Sequence, residues 1–562
     1  MKVALKNSLN KTLAALLGLT TLLAAPAWSQ SADTVLINGK ILTLDGQFPT
    51  REALAIRDGR ILALGTTAEI RKLTNPKSRV IDLNGRTVIP GLIDSHMHAI
   101  RAALSFSTEV NWIGASSLAE AVARIHEASE TMKPGAWLIV AGGWNVQQFK
   151  EKRRPTQAEL LAAAPNNPVY VQLGYGWVMM TPRALEALKI SADADLPPSG
   201  KLDRDPSGQP TGGITGGNNA IVALFDKLPK PNFDEQVDGT RKFFRELNRL
   251  GITGVVDPGG NNVSAEDYQA IFKVWREGRM TVRVAYSLCG PTPGSEFADL
   301  KDLTQMLPMG FGDDMLRFNG LGERITWAMN NNNKPSDADK QNYYEIARWA
   351  AERGMSITMH WTNDDSVDQL LTIFERVNRE VPITGLRWSI AHLNNASPES
   401  LRRMKALGMG WTVQDSLYFS GEQAQNAALR REPPVMTAKE IGVPVGAATD
   451  AHRVASYNPF TALQWFLDGK TISGIALRGP EETPSRIDAL RFYTLGSAWF
   501  SRDENKRGSL AIGKLADLAV LTKDYLTVPV EQISGIESVL TMVGGKIVYT
   551  AAPFTQFTDG PK

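Results

Sequence analysis

Val88-Ile-Pro-Gly-Leu-Ile-Asp-Ser-His-Met-His98 is an apolar run, broken once by Pro90-Gly91 and closed by two histidines one residue apart. Residues two apart on a strand face the same side. His96 and His98 can therefore aim both imidazoles at one metal ion from the strand's C-terminal end. Alone, such a pair is a weak signal, because two histidines fall close together by chance in many chains. It gains weight here because the sequence holds 6 histidines in 562 residues, and these two follow a strand of the buried type. The remaining ligands must then come from further along the chain.

Beyond this stretch the sequence alternates strand-like and helix-like segments, the pattern of a parallel sheet covered by helices. After a first strand at 88–95, strands are expected at 251–257, 280–287, 315–319, 355–360, 386–392, 409–414 and 443–450. Such a set predicts an α/β fold, a TIM-like (β/α)8 barrel over 88–507 with its chemistry at the C-terminal strand ends. Residues 101–250 are too many for one crossover. They predict an insertion after strand 1 that lies over the barrel mouth, with strands of its own at 136–141 and 168–172. Residues 34–85 read as short strands separated by turns such as Asp58-Gly59. The same texture returns at 516–522 and 537–549, so 30–87 and 508–562 predict one small β-sandwich domain built from both termini.

Composition narrows the class. The chain is 43% hydrophobic and 21% charged with a net charge of +2, enough apolar matter for a large core and no basic surface for nucleic acid. Cys289 is the single cysteine, which excludes an intramolecular disulfide and a cysteine-rich zinc site; it reads as a small apolar residue at a strand end. Lys2, Lys6 and Lys11 precede an apolar stretch from Thr12 to Ala25 and the small-residue site Ala27-Trp28-Ser29. That order is a secretory signal peptide over 1–29, and the apolar stretch is shorter than the roughly 20 residues that span a bilayer. The mature protein is expected to be periplasmic or secreted, with no stable membrane anchor after cleavage. The expected partner is a small-molecule substrate, and the sequence is compatible with an oligomer.

His360 closes the fifth expected strand, His392 the sixth and Asp450 the eighth. A single histidine is more often a hydrogen-bonded structural residue. Several of them ending parallel strands match the donor set of a divalent ion, Zn²⁺ first, with Mn²⁺ or Fe²⁺ also suited. His126 lies in a helix-like segment and is expected at the surface. His452 follows Asp450 by two and could reach the mouth, or be a solvated loop residue.

Together these residues resemble the amidohydrolase superfamily, specifically amidohydrolase family 3, the group of N-substituted formamide deformylases and exoenzyme-regulatory proteins. The resemblance runs through Pro90-Gly-Leu-Ile-Asp-Ser-His-Met-His98, Pro155-Thr-Gln-Ala-Glu-Leu160, Gln209-Pro-Thr-Gly-Gly213, Ser389-Ile-Ala-His392, Thr449-Asp450 and Gly508-Ser-Leu-Ala-Ile-Gly-Lys-Leu-Ala-Asp-Leu518. It implies metal-dependent hydrolysis of an amide, N-acyl or cyclic amide bond. His96, His98 and Asp450 would hold one ion. His360 and His392 would hold a second or share the first, and Asp450 would act as general base and acid.

Departures from that pattern carry expectations of their own. Arg317 stands where the resemblance expects a strand-4 lysine able to bridge two ions, and a guanidinium stays protonated. Either one ion is bound, the favoured expectation, or a nearby carboxylate such as Glu323 takes the lysine's place. His360-Trp-Thr-Asn-Asp364 puts Trp361 beside a ligand, and Leu173-Gly-Tyr-Gly-Trp177 lacks an expected histidine. Trp144, Tyr175, Trp177, Arg317, Trp361 and His452 are the expected pocket residues, with core packing an equal alternative for the aromatic rings. Rival functions are an idle binding or regulatory protein on the same scaffold, and a deaminase or esterase of the superfamily.

Overall fold

A computed structural model describes residues 31–46, 49–260, 263–329, 334–420 and 432–557; the expected signal peptide lies outside them. Four parallel strands, β1 (Leu92–Asp94), β2 (Ile252–Asp257), β3 (Arg283–Leu288) and β4 (Leu316–Leu321), form one sheet in sequence order. A second parallel sheet holds β5 (Thr358–Trp361), β6 (Ser389–His392), β7 (Gly410–Gln414) and β8 (Val445–Ala448). Among the described residues no extended ladder joins the two sheets. Single backbone hydrogen bonds cross both seams: Leu321 N to Ser356 O (2.9 Å) and His360 N to Glu323 O (2.9 Å) on one side, Ser95 N to Ala447 O (3.1 Å) and Asp450 N to His96 O (2.9 Å) on the other.

Helices follow the strands and cover them with amphipathic faces. Asp364–Glu380 after β5 turns Val367, Leu370, Leu371, Phe374 and Val377 inward, the three-four spacing of one helix face. Phe233–Arg249 before β2 begins at Asn232, whose side chain accepts from Glu235 N while the Glu235 carboxylate accepts from Asn232 N.

The opening stretch is two strands rather than one. Thr87–Pro90 belongs to a six-stranded sheet in which three strands from the C-terminal end lie beside three from the N-terminal end, in the order Lys546–Thr550, Ser538–Val543, Leu518–Leu521, Thr87–Pro90, Lys40–Leu42, Thr50–Arg51. At Gly91 the chain leaves this sheet and enters β1. A Cβ at Gly91 would stand 2.3 Å from Thr253 Cγ2 on β2, so the close approach admits only glycine without a shift. A four-stranded sheet, Arg60–Gly65, Ala53–Arg57, Thr34–Ile37 and Arg79–Asp82, packs nearby. Leu36, Leu54 and Ile81 from it share one apolar cluster with Val88, Leu518 and Leu540 from the six-stranded sheet.

Residues between β1 and β2 carry a five-stranded sheet with its own apolar clusters. Trp144 lies inside one of them. Its ring stacks on Phe149 and meets Trp112 edge-on, and its Nε1 donates to Gln172 O (2.7 Å). Trp177 is buried beneath the Arg154 guanidinium and donates to Asp203 (2.9 Å). Both are core residues of the insertion, not pocket walls, because each indole N–H is already satisfied within that layer. The insertion touches the loop after β8 through Gly143 N, which donates to Arg453 O (3.1 Å).

Candidate metal centre

Strand alternation and strand ends assemble the centre. His96 and His98 follow β1, Glu323 follows β4, His360 lies in β5, His392 ends β6 and Asp450 follows β8. In β5, His360 points into the mouth while Trp361, its neighbour, points the other way into the helical layer. Trp361 is fully buried and donates to Ser366 Oγ (3.1 Å), so it is a core residue and adds no bulk beside the ligand. His392 and Asp450 both adopt left-handed backbone, at φ 73° and 57°. That conformation is uncommon for side-chain-bearing residues and is concentrated at functional strand ends. His392 is held in it by Gln414, which accepts from its N–H (2.9 Å), and by Trp411 Nε1, which donates to its carbonyl (2.8 Å).

Glu323 lies at the middle of the cluster. Its Oε1 is 3.4 Å from His98 Nε2; its Oε2 is 3.2 Å from His96 Nε2, 3.3 Å from His360 Nδ1 and 3.9 Å from His392 Nε2. Asp450 Oδ1 stands 3.1 Å from His98 Nε2 and 3.7 Å from His96 Nε2. Three ligand sets emerge, His96–His98–Glu323, His96–His392–Asp450 and Glu323–His360–His392, each with its donor atoms within 4.8 Å of one another.

The donors fit a cation better than they fit each other. His96 Nδ1 and Nε2 and His392 Nε2 are buried without a hydrogen-bond partner, a costly arrangement unless another group takes up the lone pairs. His98 Nδ1 is 2.6 Å from Gly259 O, which makes Nδ1 the donor and leaves Nε2 to face the carboxylates. Burial and the neighbouring His360 charge push the His392 ring down to about 4, so it is neutral at ordinary pH, as a metal ligand must be. Burial pushes Glu323 up, but the His98 charge and contacts from His360, His392 and His96 outweigh it and hold the carboxyl well below its usual range. Asp450 is likewise held low, burial being outweighed chiefly by the His98 contact. Beneath the centre, Asp94 accepts from His96 N (3.0 Å) and Thr449 Oγ1 (2.8 Å), and burial raises its carboxyl to about 7.

Several expected residues fall elsewhere. Arg317 is second in β4, at the strand's N-terminal end and away from the centre. Its guanidinium bonds Asp503 and the Ser501 carbonyl. It is a part-buried anchor between β4 and the 500–507 segment, neither a pocket residue nor a stand-in for a bridging lysine. The carboxylate of Glu323 holds that central place. His452 does not join the other imidazoles; it is buried against Glu109 (Nε2 to Oε2, 2.9 Å). Tyr175 is half-buried in a hairpin turn, near enough to Arg453 to favour its charge. His126 is exposed on a helix, as expected. Sequence reasoning overlooked Arg101, Arg324 and Arg453. Each follows a residue of the cluster by one or three positions, and that spacing is the only signal the sequence holds for them.

Comparison with known proteins identifies the family. The amidohydrolase family model matches residues 79–549. The chain is 26% identical to N-substituted formamide deformylase of Arthrobacter pascens over 93% of its own length and 99% of the relative's. It is 27% identical to the protein LONG AFTER FAR-RED 3 of Arabidopsis thaliana, with 92% of each chain covered. Its fold is shared with an uncharacterized metal-dependent hydrolase of Pyrococcus horikoshii (TM-score 0.64, 21% identity, 89% of this chain and 99% of that one). A zinc complex of atrazine chlorohydrolase from Arthrobacter aurescens is also similar (TM-score 0.54, 15% identity, 92% and 95%). With most of its length matched, this chain belongs to the amidohydrolase family, the metal-dependent hydrolases of carbon–nitrogen bonds.

Proposed function

We propose that the protein is an exported hydrolase that cleaves an amide or N-acyl bond at a two-ion centre, with zinc as the metal and Glu323 as the shared ligand. The observation that carries this reading is the convergence of His96, His98, His360 and His392 on the two oxygens of one buried carboxylate. His96 and His98 would hold one ion, His360 and His392 the other, and Asp450 would complete the first. The donors are imidazole and carboxylate, the set that suits Zn²⁺. The argument for a single ion rested on Arg317, and that residue is engaged with Asp503.

Ions held by these residues would supply Lewis acidity toward a carbonyl and lower the pKa of water. The protein's own groups do the rest. Asp450, kept ionised by His98, is the proton acceptor for the attacking water and then returns that proton to the departing amine nitrogen. Gly259 O fixes the His98 tautomer. Gln414 and Trp411 hold the His392 backbone, so the donors are set before substrate arrives.

Elemental analysis of the purified protein, combined with a panel of N-formyl, N-acyl and cyclic amides, tests this directly. Two zinc equivalents per chain and amide hydrolysis that stops on chelation and returns with added Zn²⁺ are expected. Full activity in a metal-free preparation would overturn the reading.

A further inference from the structure

His98 enters the centre with its ring already engaged at Nδ1, and a carboxylate outside the ligand sets governs that engagement. Asp257 closes β2 and is 1% exposed. Its Oδ1 accepts from Gly259 N (2.8 Å) and its Oδ2 from Ile100 N (2.8 Å). Gly259 is the residue whose carbonyl meets His98 Nδ1 at 2.6 Å. Ile100 lies two residues after His98, in the first turn of the helix Ala99–Ser105. One carboxylate therefore ties down both the main chain that follows His98 and the carbonyl that its ring meets. On the other side Met97 N donates to Val256 O (3.1 Å), which fixes the main chain before it.

The loop between Asp257 and the ring is built for close approach. Gly259 has φ 75°, the left-handed region that favours glycine. A Cβ there would stand 2.8 Å from Cys289 Sγ and 3.1 Å from Ser287 O, so the loop is wedged against the end of β3. A Cβ on Gly260 would stand 2.8 Å from His98 Nδ1. Pro258 has no N–H to offer, so Gly259 supplies the loop's first donor to the carboxylate. The Pro258 carbonyl is also engaged: it accepts from Glu323 N (2.9 Å), and a Cβ on Gly322 would be 2.0 Å from the same oxygen. Adjacent carbonyls of one loop thus hold the backbone of Glu323 and the ring of His98.

A carbonyl only accepts, so its partner on the imidazole must carry the proton. With Nδ1 spoken for, Nε2 is the atom left toward Glu323 (3.4 Å) and Asp450 (3.1 Å). A rotation of the Gly259 peptide would release both the ring angle and the choice of protonated nitrogen. We infer that Asp257 is a positioning residue of the metal centre, acting through the Gly259 carbonyl to hold His98 with Nε2 presented to an ion. This rests on the metal-dependent reading above and adds to it a residue that touches neither ion nor substrate. Asp257→Asn nearly preserves shape but offers one oxygen to two N–H groups, so one of the two contacts fails.

Zinc affinity, measured by competition with a chromophoric chelator, tests this on Asp257→Asn, Gly259→Ala and the double variant. Each single substitution is expected to weaken zinc binding by about 10–100-fold. The double variant should fall within about twofold of the weaker single one, because both changes act on the same carbonyl. Cobalt-loaded Asp257→Asn should show a shifted visible absorption band, since the imidazole meets the ion at a changed angle; a purely structural residue would leave that band in place. Gly259→Ala disturbs the carbonyl with the carboxylate intact, so it carries the test by itself if Asp257→Asn does not fold. Zinc affinity within about threefold of the unaltered protein in the folded variants, or losses that multiply in the double variant, would overturn the positioning role. Amide turnover by the unaltered enzyme is scored separately. Zinc binding that depends on Asp257, without hydrolysis of any amide, supports the positioning role while sinking the hydrolase reading.

Discussion

At the scale of single residues, the centre depends on two carboxylates with different duties. Glu323 faces imidazoles from three strands, so Glu323→Gln removes a charge that two of the three ligand sets use. Metal content is expected to drop from two equivalents to one or fewer, with kcat down at least about 10³-fold, checked by elemental analysis and steady-state kinetics. Asp450→Asn should lower kcat by a similar factor of about 10²–10⁴ through loss of the proton acceptor. Any zinc it retains separates that loss from metal depletion. Trp361 supplies the opposite case. As a core residue its truncation to Ala should destabilise the fold by about 3–5 kcal/mol in a urea titration. Trp361→Phe should leave KM unchanged, because the ring faces helices and not substrate.

At the scale of elements, the strand ends that carry the ligands are aimed by contacts at the opposite end of the sheet. Asp503 is buried between Arg317 at the start of β4 and Arg507, which it meets at 2.9 Å. Removing the carboxylate takes the nearest counter-charge from two guanidiniums, so Asp503→Asn is expected to cost about 3–5 kcal/mol. Burial pushes the Asp503 carboxyl up, but the charges of Arg507 and Arg317 outweigh it and hold it below its ordinary value. The folded carboxyl titrates lower than the unfolded one, at about 4. Its contribution is therefore complete above about pH 4 and is lost as pH falls through the depressed value. Denaturant midpoints measured between pH 6 and pH 3 should fall more steeply for the unaltered protein than for Asp503→Asn.

At the scale of the whole molecule, the sheet that joins both chain ends is tied to the parallel strands at two places. One is the Gly91 crossing against Thr253. The other is Arg283 in β3, which meets Asp517 through Nε at 2.7 Å and Nη2 at 3.0 Å; Gly544 N donates to the same carboxylate. The pair is buried on both sides. Asp517→Asn is therefore expected to destabilise the protein by about 3–5 kcal/mol and to raise proteolysis within 508–557 ahead of the remaining chain, followed by limited digestion and mass spectrometry.

The sequence alone determined the alternating strand-and-helix order, the approximate place of each parallel strand, and the histidines and aspartate at their ends. Those features follow from periodicities of two and three to four residues and from polar groups closing apolar runs, all local and therefore written in the chain. It also raised Glu323 as a carboxylate able to replace a lysine, while favouring a single ion because Arg317 stood at the lysine's expected position. Tertiary structure made that decision, because residues on one strand reach opposite ends of a sheet and only the partners waiting there, Asp503 or the imidazoles, assign their tasks. The same holds for Trp144, Trp177 and Trp361, whose rings could equally line a pocket or fill a core until packing chose.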